Sequence, residues 1–224
     1  MIKKVEKAIS YKDKAYEEIK SAIISQHIKA GEQLNERILA EQMGLSRTPI
    51  REALSILENE GWVITEPWKG TFVLEVTEQD IEEVFQMRLA LEPLAVELVI
   101  SKLKDQDGAM LNELQDKQRS CMDNMDADQF ICIDRDFHAY ITSLAGNRRL
   151  AQVLNNLSDM MRCLGLRAMV TGEARYKEVL AEHESIINAI LARDLIKARS
   201  SMSYHILRTR EQVYKNAQSK VVEK

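Results

Sequence analysis

Apolar positions recur along this chain with two different periods, and the change of period divides it. From about Lys12 to Lys29, Tyr16, Ile19, Ile23 and Ile24 share one helical stripe. Glu36 to Met43 places Ile38, Leu39 and Met43 at the spacing of a short amphipathic helix, and Gly44 stops it as glycine does after a C-cap. Ser46 is placed to cap the next helix with its hydroxyl, and Pro49 falls in the first turn, where its missing N–H costs nothing. That helix stacks Ile50, Ala53, Leu54 and Leu57 and ends near Gly61. After Trp62 the period shortens: VIT and TFVLEV are β-rich segments around the turn EPWKG, a hairpin or wing. Gln33-Leu34 is a candidate short strand beside it.

Beyond Val76 every segment is helical by period. Thr77 followed three residues later by Asp80 is a capping-box-like start. Helices are expected over Glu78–Lys104 (kinked at Pro93), Asp107–Asn124, Asp128–Ala145, Arg148–Met169, Ala174–Ala192 and Leu195–Ala217. Residues 1–10 read as a loose basic leader and the tail SKVVEK as frayed. The expected fold is mainly α: a winged helix-turn-helix over residues 1–76, then a six-helix antiparallel bundle over 77–224, with no flexible linker.

Composition changes this picture little. With 8 Gly and 3 Pro in 224 residues and 45% hydrophobic residues, the chain can build real cores and is not disordered. Three cysteines without CxxC spacing, Cys121, Cys132 and Cys163, read as small apolar core residues in a reducing compartment. With no signal-like leader and no apolar run long enough to span a bilayer, a cytoplasmic protein without membrane partners is expected. Net charge is −4, which by itself argues against nucleic acid. Residues 1–75 carry 11 Lys and Arg against 12 Asp and Glu, but Gly44–Arg51 has two arginines and no acid, so any positive field is local.

Arg47, Thr48 and Arg51 stand at the start of the second helix of the helix-turn-helix, the part that enters a major groove. Arginine can fork onto guanine or clamp a phosphate, and threonine can donate to a phosphate. Lys69 and Gly70 at the wing tip are placed to meet the backbone or minor groove. The pattern LAEQMGLSRTPIREALSILENEGWV…GTFV resembles the winged helix of the GntR family of bacterial transcription regulators, over residues 12–75. The resemblance implies operator-DNA contacts at Arg37, Ser46, Arg47, Thr48, Arg51 and Gly70, and a homodimer, usually a repressor, on a short palindrome. Trp68-Lys69 departs from the smaller or basic residues many relatives carry at the wing tip.

In the bundle, the informative residues are polar ones on apolar stripes. Phe130, Ile133, Phe137 and Ile141 mark a buried helix face, with Asp134 and His138 four apart along its edge. His183 precedes Ile186, Ile187 and Ile190, and His205 sits beside Ile206, whereas His27 reads as a surface residue. Spacing leaves two readings open: separately satisfied histidines, or an Asp/His₃ set for a divalent transition ion such as zinc, nickel or manganese. Residues 78–217 resemble the FCD ligand-binding domain of the FadR-like branch of the same family, carried by DRDFHAYITSLAGNRRL and EHESIINAILARDLIKARSSMSYHI. That resemblance implies metal ligands at Asp134, His138, His183 and His205 and a small carboxylate effector on the metal. It also implies an effector contact at Arg88, whose alternative is a salt bridge with Glu92. Asn147 and Arg148 match a helix start. A metalloenzyme is the competing reading, but no further acid, base or nucleophile accompanies the ligands at a recognisable spacing; a purely structural or signalling metal is a third.

Overall fold

The computed structural model describes residues 10–169 and 172–222, in two compact units, residues 1–76 and 77–224. Among the described residues the first unit holds α1 (Tyr11–Ile24), β1 (Gln33–Leu34), α2 (Glu36–Met43), α3 (Arg47–Asn59), β2 (Val63–Glu66) and β3 (Gly70–Val73). Ile19, Ile23 and Ile24 from α1 are buried together with Ile50, Ala53, Leu54 and Leu57 from α3, as their stripes require. Gly44 ends α2 with a left-handed φ of 64°. Ile38 differs from expectation: it is 47% exposed, and Ala40 is the buried residue of α2.

The sheet order is β1-β3-β2, all antiparallel, with Glu66 opposite Gly70 at the tip and Gln33 opposite Phe72. Gly70 is required there twice over. Its φ is 119°, and a Cβ would stand 2.5 Å from Gln33 Nε2, the amide that donates to Lys69 O at 2.7 Å. The strand β1 thus clamps the wing.

The second unit consists of α4 (Glu78–Ile100), α5 (Asp105–Ser120), a 3₁₀ turn (Cys121–Asp123), α6 (Ala127–Leu144), α7 (Arg148–Ala168), α8 (Glu173–Leu191) and α9 (Leu195–Val222). Thr77 and Asp80 form a reciprocal capping box at the start of α4. Asn147 caps α7 by accepting from Arg149 N and Leu150 N, the structural role expected of it. Pro93 is buried inside α4, which continues to Ile100. The second expected helix stops short, at Ser120, because the chain tightens into the 3₁₀ turn. The last runs to Val222, past Ala217, so the expected fraying over SKVVEK is not seen through that residue; Glu223 and Lys224 lie outside the described residues, as do residues 1–9 of the leader.

In the bundle, α9 packs between α4 and α8, α6 packs on α4, α5 and α7, and α5 packs on α8. Phe130, Phe137 and Ile141 are buried as expected, but Ile131 is buried while Ile133 is only half-buried, because the face of α6 is shared among three neighbouring helices. Cys121 and Cys163 are buried, whereas Cys132 is half-buried. No described helix is long and apolar enough to cross a membrane.

Candidate metal centre and nucleic-acid face

The bundle brings its inward histidines to one point. His138 from α6, His183 from α8 and His205 from α9 are buried, and each offers a donor atom that lies, with one from Asp134, within 4.8 Å of the others. Four apart on α6, Asp134 and His138 project from the same side. The i+4 neighbour of His205, Thr209, and Glu182, the neighbour of His183, continue the polar seam.

What orients the rings is a set of acceptors behind them. His183 Nδ1 lies 2.9 Å from Gln118 Oε1, and an amide oxygen only accepts, so Nδ1 carries the proton. The amide is itself held, since Gln118 Nε2 donates to Phe130 O. His205 Nδ1 donates to Glu182 Oε2 at 2.7 Å. His138 Nδ1 lies 2.6 Å from Glu92 Oε2, an ion-pair distance, though off the line of a good hydrogen bond. The carboxylate still favours the proton on that nitrogen. All three rings therefore turn Nε2 lone pairs inward, the tautomer that outer acceptors impose on metal-binding histidines.

The inner face is left unsatisfied. His138 Nε2 and His205 Nε2 face one another at 3.2 Å. If both rings donate from Nδ1, that contact sets two lone pairs against each other. His183 Nε2 is buried without a hydrogen-bond partner, 3.3 Å from Asp134 Oδ1. Three lone pairs and a carboxylate converging in a buried volume call for a cation, and the donor set fits a divalent transition ion. Among the described residues, this is the cluster of His, Cys, Asp and Glu with that convergence.

The electrostatics agree. Burial pushes His205 down to about 4, against the pull of Glu182, and it lowers His183 as well. Burial alone would raise the Asp134 carboxyl, yet His183 and the neighbouring imidazoles hold it well below the usual carboxylate range. Neutral rings beside an ionised carboxylate are the protonation states a metal requires.

Beside the cluster opens a cavity lined by Asp134 and His205 together with Arg88, Arg135, Arg162, Arg175 and Thr209. For Arg88 the expected salt bridge with Glu92 is present. Its Nε donates to Glu92 Oε1 at 2.5 Å, which ties it through Glu92 to His138, and its Nη2 is buried without a partner. Gln118, Glu182, Arg162 and Arg175 were not singled out from the sequence, and Glu92 only as a partner of Arg88. Arg175 had a readable signal: it shares a helical stripe with Val179, Glu182 and Ile186 of α8. Gln118 had none.

On the first unit, Arg37, Ser46, Arg47, Thr48, Arg51 and Lys69 are all exposed, and Gly70 is half-buried in the wing. Arg47 and Thr48 occupy the first turn of α3 with Ser46 at its N-cap. Ser46 has the extended backbone of a cap, but its side chain makes no capping hydrogen bond. The hydroxyl is thereby left for a partner outside the helix. Arg51 is gripped in a fork by Glu36 of α2, Nε to Oε1 at 3.0 Å and Nη2 to Oε2 at 2.8 Å. Arg37 stands 3.8 Å from Glu41, and Lys69 stands 2.7 Å from Glu66. Trp68 is fully exposed at the wing tip, with a left-handed φ of 67°.

A helix-turn-helix with a β wing, followed by a helical bundle with a buried polar centre, is the architecture of a DNA-binding transcription regulator. The chain matches the family model "Bacterial regulatory proteins, gntR family" over residues 11–73 and that of the FCD domain over residues 83–208. It belongs to the GntR family of DNA-binding transcription regulators, with a C-terminal FCD domain; the proteins it resembles are regulators rather than enzymes. It is 29% identical over 204 residues to the HTH-type transcriptional regulator YdhC of Bacillus subtilis, covering 90% of each chain. It is 32% identical over 184 residues to the gluconate operon transcriptional repressor of Bacillus licheniformis, covering 79% of this chain and 74% of that one. The solved structure of E. coli McbR/YncC superposes with a TM-score of 0.79 at 26% identity, covering 93% of this chain and 99% of that one.

The depressed pKa of His205 has a consequence for stability. The unfolded ring takes up a proton near its ordinary 6.5, the folded ring only near 4, so protonation favours unfolding. Its contribution is complete above pH 6.5 and is lost progressively as pH falls toward 4. Chemical denaturation of the chelated protein across that window should show stability falling with pH, with a shallower slope in His205→Gln.

Proposed function

We propose that the chain is a homodimeric repressor that reads a short palindromic operator and is released or retained by a small carboxylate bound at a metal in the bundle. The observation that carries this reading is the inward convergence of the three Nε2 lone pairs on Asp134, beside a cavity walled with arginine. Asp134, His138, His183 and His205 would hold a zinc, nickel or manganese ion. Once bound, that ion supplies a Lewis-acid anchor for a carboxylate oxygen. Glu92, Gln118 and Glu182 fix the rings and their tautomers, and Arg88 offers the free edge of its guanidinium to the same carboxylate. Since α4 begins at Glu78, shortly after the wing strand ends at Val73, and carries Arg88 and Glu92, a shift of this helix on effector binding would be transmitted along the chain to the reading unit.

On DNA, Arg47 and Thr48 enter the major groove from the first turn of α3, Arg51 and Arg37 clamp phosphate, and Ser46, Lys69 and Gly70 complete the contact. Repression is the role of the gluconate operon relative, and it is extended here to this chain. The dimer would form on the bundle. Met87 and Leu94 of α4 are exposed on one stripe with Ala90, Leu91 and Leu98, and Val153 of the adjacent α7 is exposed as well, with Leu157 and Met160 half-buried. A contiguous apolar face of this kind suits a second copy of the chain. A protein of this type would work in the cytoplasm.

Each part has its own check. Arg47→Ala should abolish binding to the operator in a fluorescence-anisotropy titration while leaving the unfolding transition in place; unchanged affinity would remove α3 from the interface. Zinc added to chelated protein should raise the melting temperature, and Glu182→Gln should weaken zinc affinity by roughly 10–100-fold, the range for losing a partner behind a metal ligand. A zinc response that persists in His183→Ala would dissolve the proposed centre. Leu94→Glu should convert a dimer to a monomer in sedimentation equilibrium, and a dimer that survives it must use another face.

A further inference from the structure

The cavity beside the histidine cluster carries more cationic hydrogen-bonding capacity than one carboxylate can use. Its lining includes Arg88 from α4, Arg135 from α6, Arg162 from α7 and Arg175 from α8, against the single acid Asp134. The acids that pair with the three arginines whose bonds matter here engage only part of each guanidinium. Glu92 takes Arg88 Nε, Asp128 takes Arg162 Nη2 at 3.0 Å, Glu182 takes Arg175 Nη1 and Nη2 at 2.7 and 3.2 Å, and Glu178 shares Arg175 Nη1 at 3.2 Å. Thr209 Oγ1 accepts a further bond from Arg175 Nη2. Left over are Arg88 Nη2, Arg162 Nε and Arg175 Nε, all buried and without a hydrogen-bond partner.

An unmet buried donor costs roughly 1–3 kcal/mol, and more when it is charged. Three of them around one cavity therefore mark a place where acceptors arrive with a ligand. A carboxylate anchored at the cluster and Arg88 leaves the nitrogens of Arg162 and Arg175 unmet, on two other helices. Hydroxyl groups could accept from them, but a carboxylate or phosphate adds charge–charge attraction to the hydrogen bond and matches the fork of a guanidinium. The space open to the centre of a water-sized sphere is only about 20 Å³, so the occupant is compact.

We propose that the effector is a small dianion, with one carboxylate at the Asp134/histidine cluster and Arg88 and a second anionic group, carboxylate or phosphate, on Arg162 and Arg175. This rests on the reading of the cluster as a metal-anchored acid site, and it adds the class of acid.

The test is a calorimetric titration of the zinc-loaded full chain with four 2-hydroxy acids that differ at the far end. These are 2-hydroxybutyrate (methyl), glycerate (hydroxyl), malate (carboxylate) and 3-phosphoglycerate (phosphate). Malate or 3-phosphoglycerate should bind at least about tenfold more tightly than the two monoacids, the factor equivalent to ~1.4 kcal/mol. Whichever of the pair is tighter identifies the second group. Arg162→Gln should bring that ratio close to one, whereas Asp128→Asn, which removes only the exposed partner of Arg162, should preserve it. Equal affinities for monoacids and diacids in the unaltered protein, or a preference that survives Arg162→Gln, would overturn the dianion. Binding of 2-hydroxybutyrate that vanishes on chelation would then still uphold the metal-anchored site. If none of the four acids binds, both readings fall together.

Discussion

The bundle depends on one arrangement: three imidazoles whose Nδ1 atoms are held from behind, so that their Nε2 atoms meet. Five of the six helices contribute. Glu92 comes from α4, Gln118 from α5, Asp134 and His138 from α6, His183 and Glu182 from α8, and His205 from α9. Burying so many polar groups is costly unless each finds a partner; Nδ1 of His183 and of His205 is hydrogen-bonded, and His138 Nδ1 stands at ion-pair distance from Glu92. Phe137 stacks on His183 with ring centroids 4.1 Å apart, so the polar centre is also fixed by apolar packing. Arg175, among the most buried side chains, is neutralised by Glu182, which also holds His205. Removing Glu182 would therefore strand both a buried cation and a ring, which is why site and fold cannot be separated here.

Much of this was readable from the chain, and what escaped has a common cause. Period alone located the helices to within a few residues, because nearly every bundle helix has one buried stripe. Asp134 and His138 were visible as a pair because four residues is one helical turn. His183 and His205 were visible only as polar residues on apolar stripes, and spacing could not say that they meet. The groups that orient them lie at separations no local pattern records: Gln118 is 65 residues from His183. Gln118 sits on the helix with the weakest apolar stripe, where a buried glutamine looks like any surface one. Arg162 was masked differently, since its neighbours Met161 and Cys163 read as ordinary core.

The reading unit illustrates a second limit. Its positive charge is confined to a few side chains, and the residues that hold them are acids. Glu36 grips Arg51, and Glu66 stands beside Lys69. A count of charge along the chain cancels these pairs and conceals the function. The geometry gives them another meaning: an arginine already held in one rotamer loses less freedom on meeting DNA than a solvated one. The acid partner must, however, release or share it when a phosphate competes.

Preorganisation extends to the wing. Gln33 clamps the backbone of Lys69 beside a glycine whose φ of 119° side chains rarely adopt, so the tip is held within the wing itself. Both halves of the protein thus follow the same physical rule. A polar group needed for recognition is held by a second polar group that takes part of its bonding capacity and leaves the rest directed at the ligand. At the wing and α3 the retained capacity faces solvent. In the bundle it faces a buried cavity, where an unmet donor is far more costly. The bundle is therefore the half whose stability should respond most to a ligand, and the proposed effector would have free energy available there to redistribute α4, the helix that follows the DNA-binding unit in the chain.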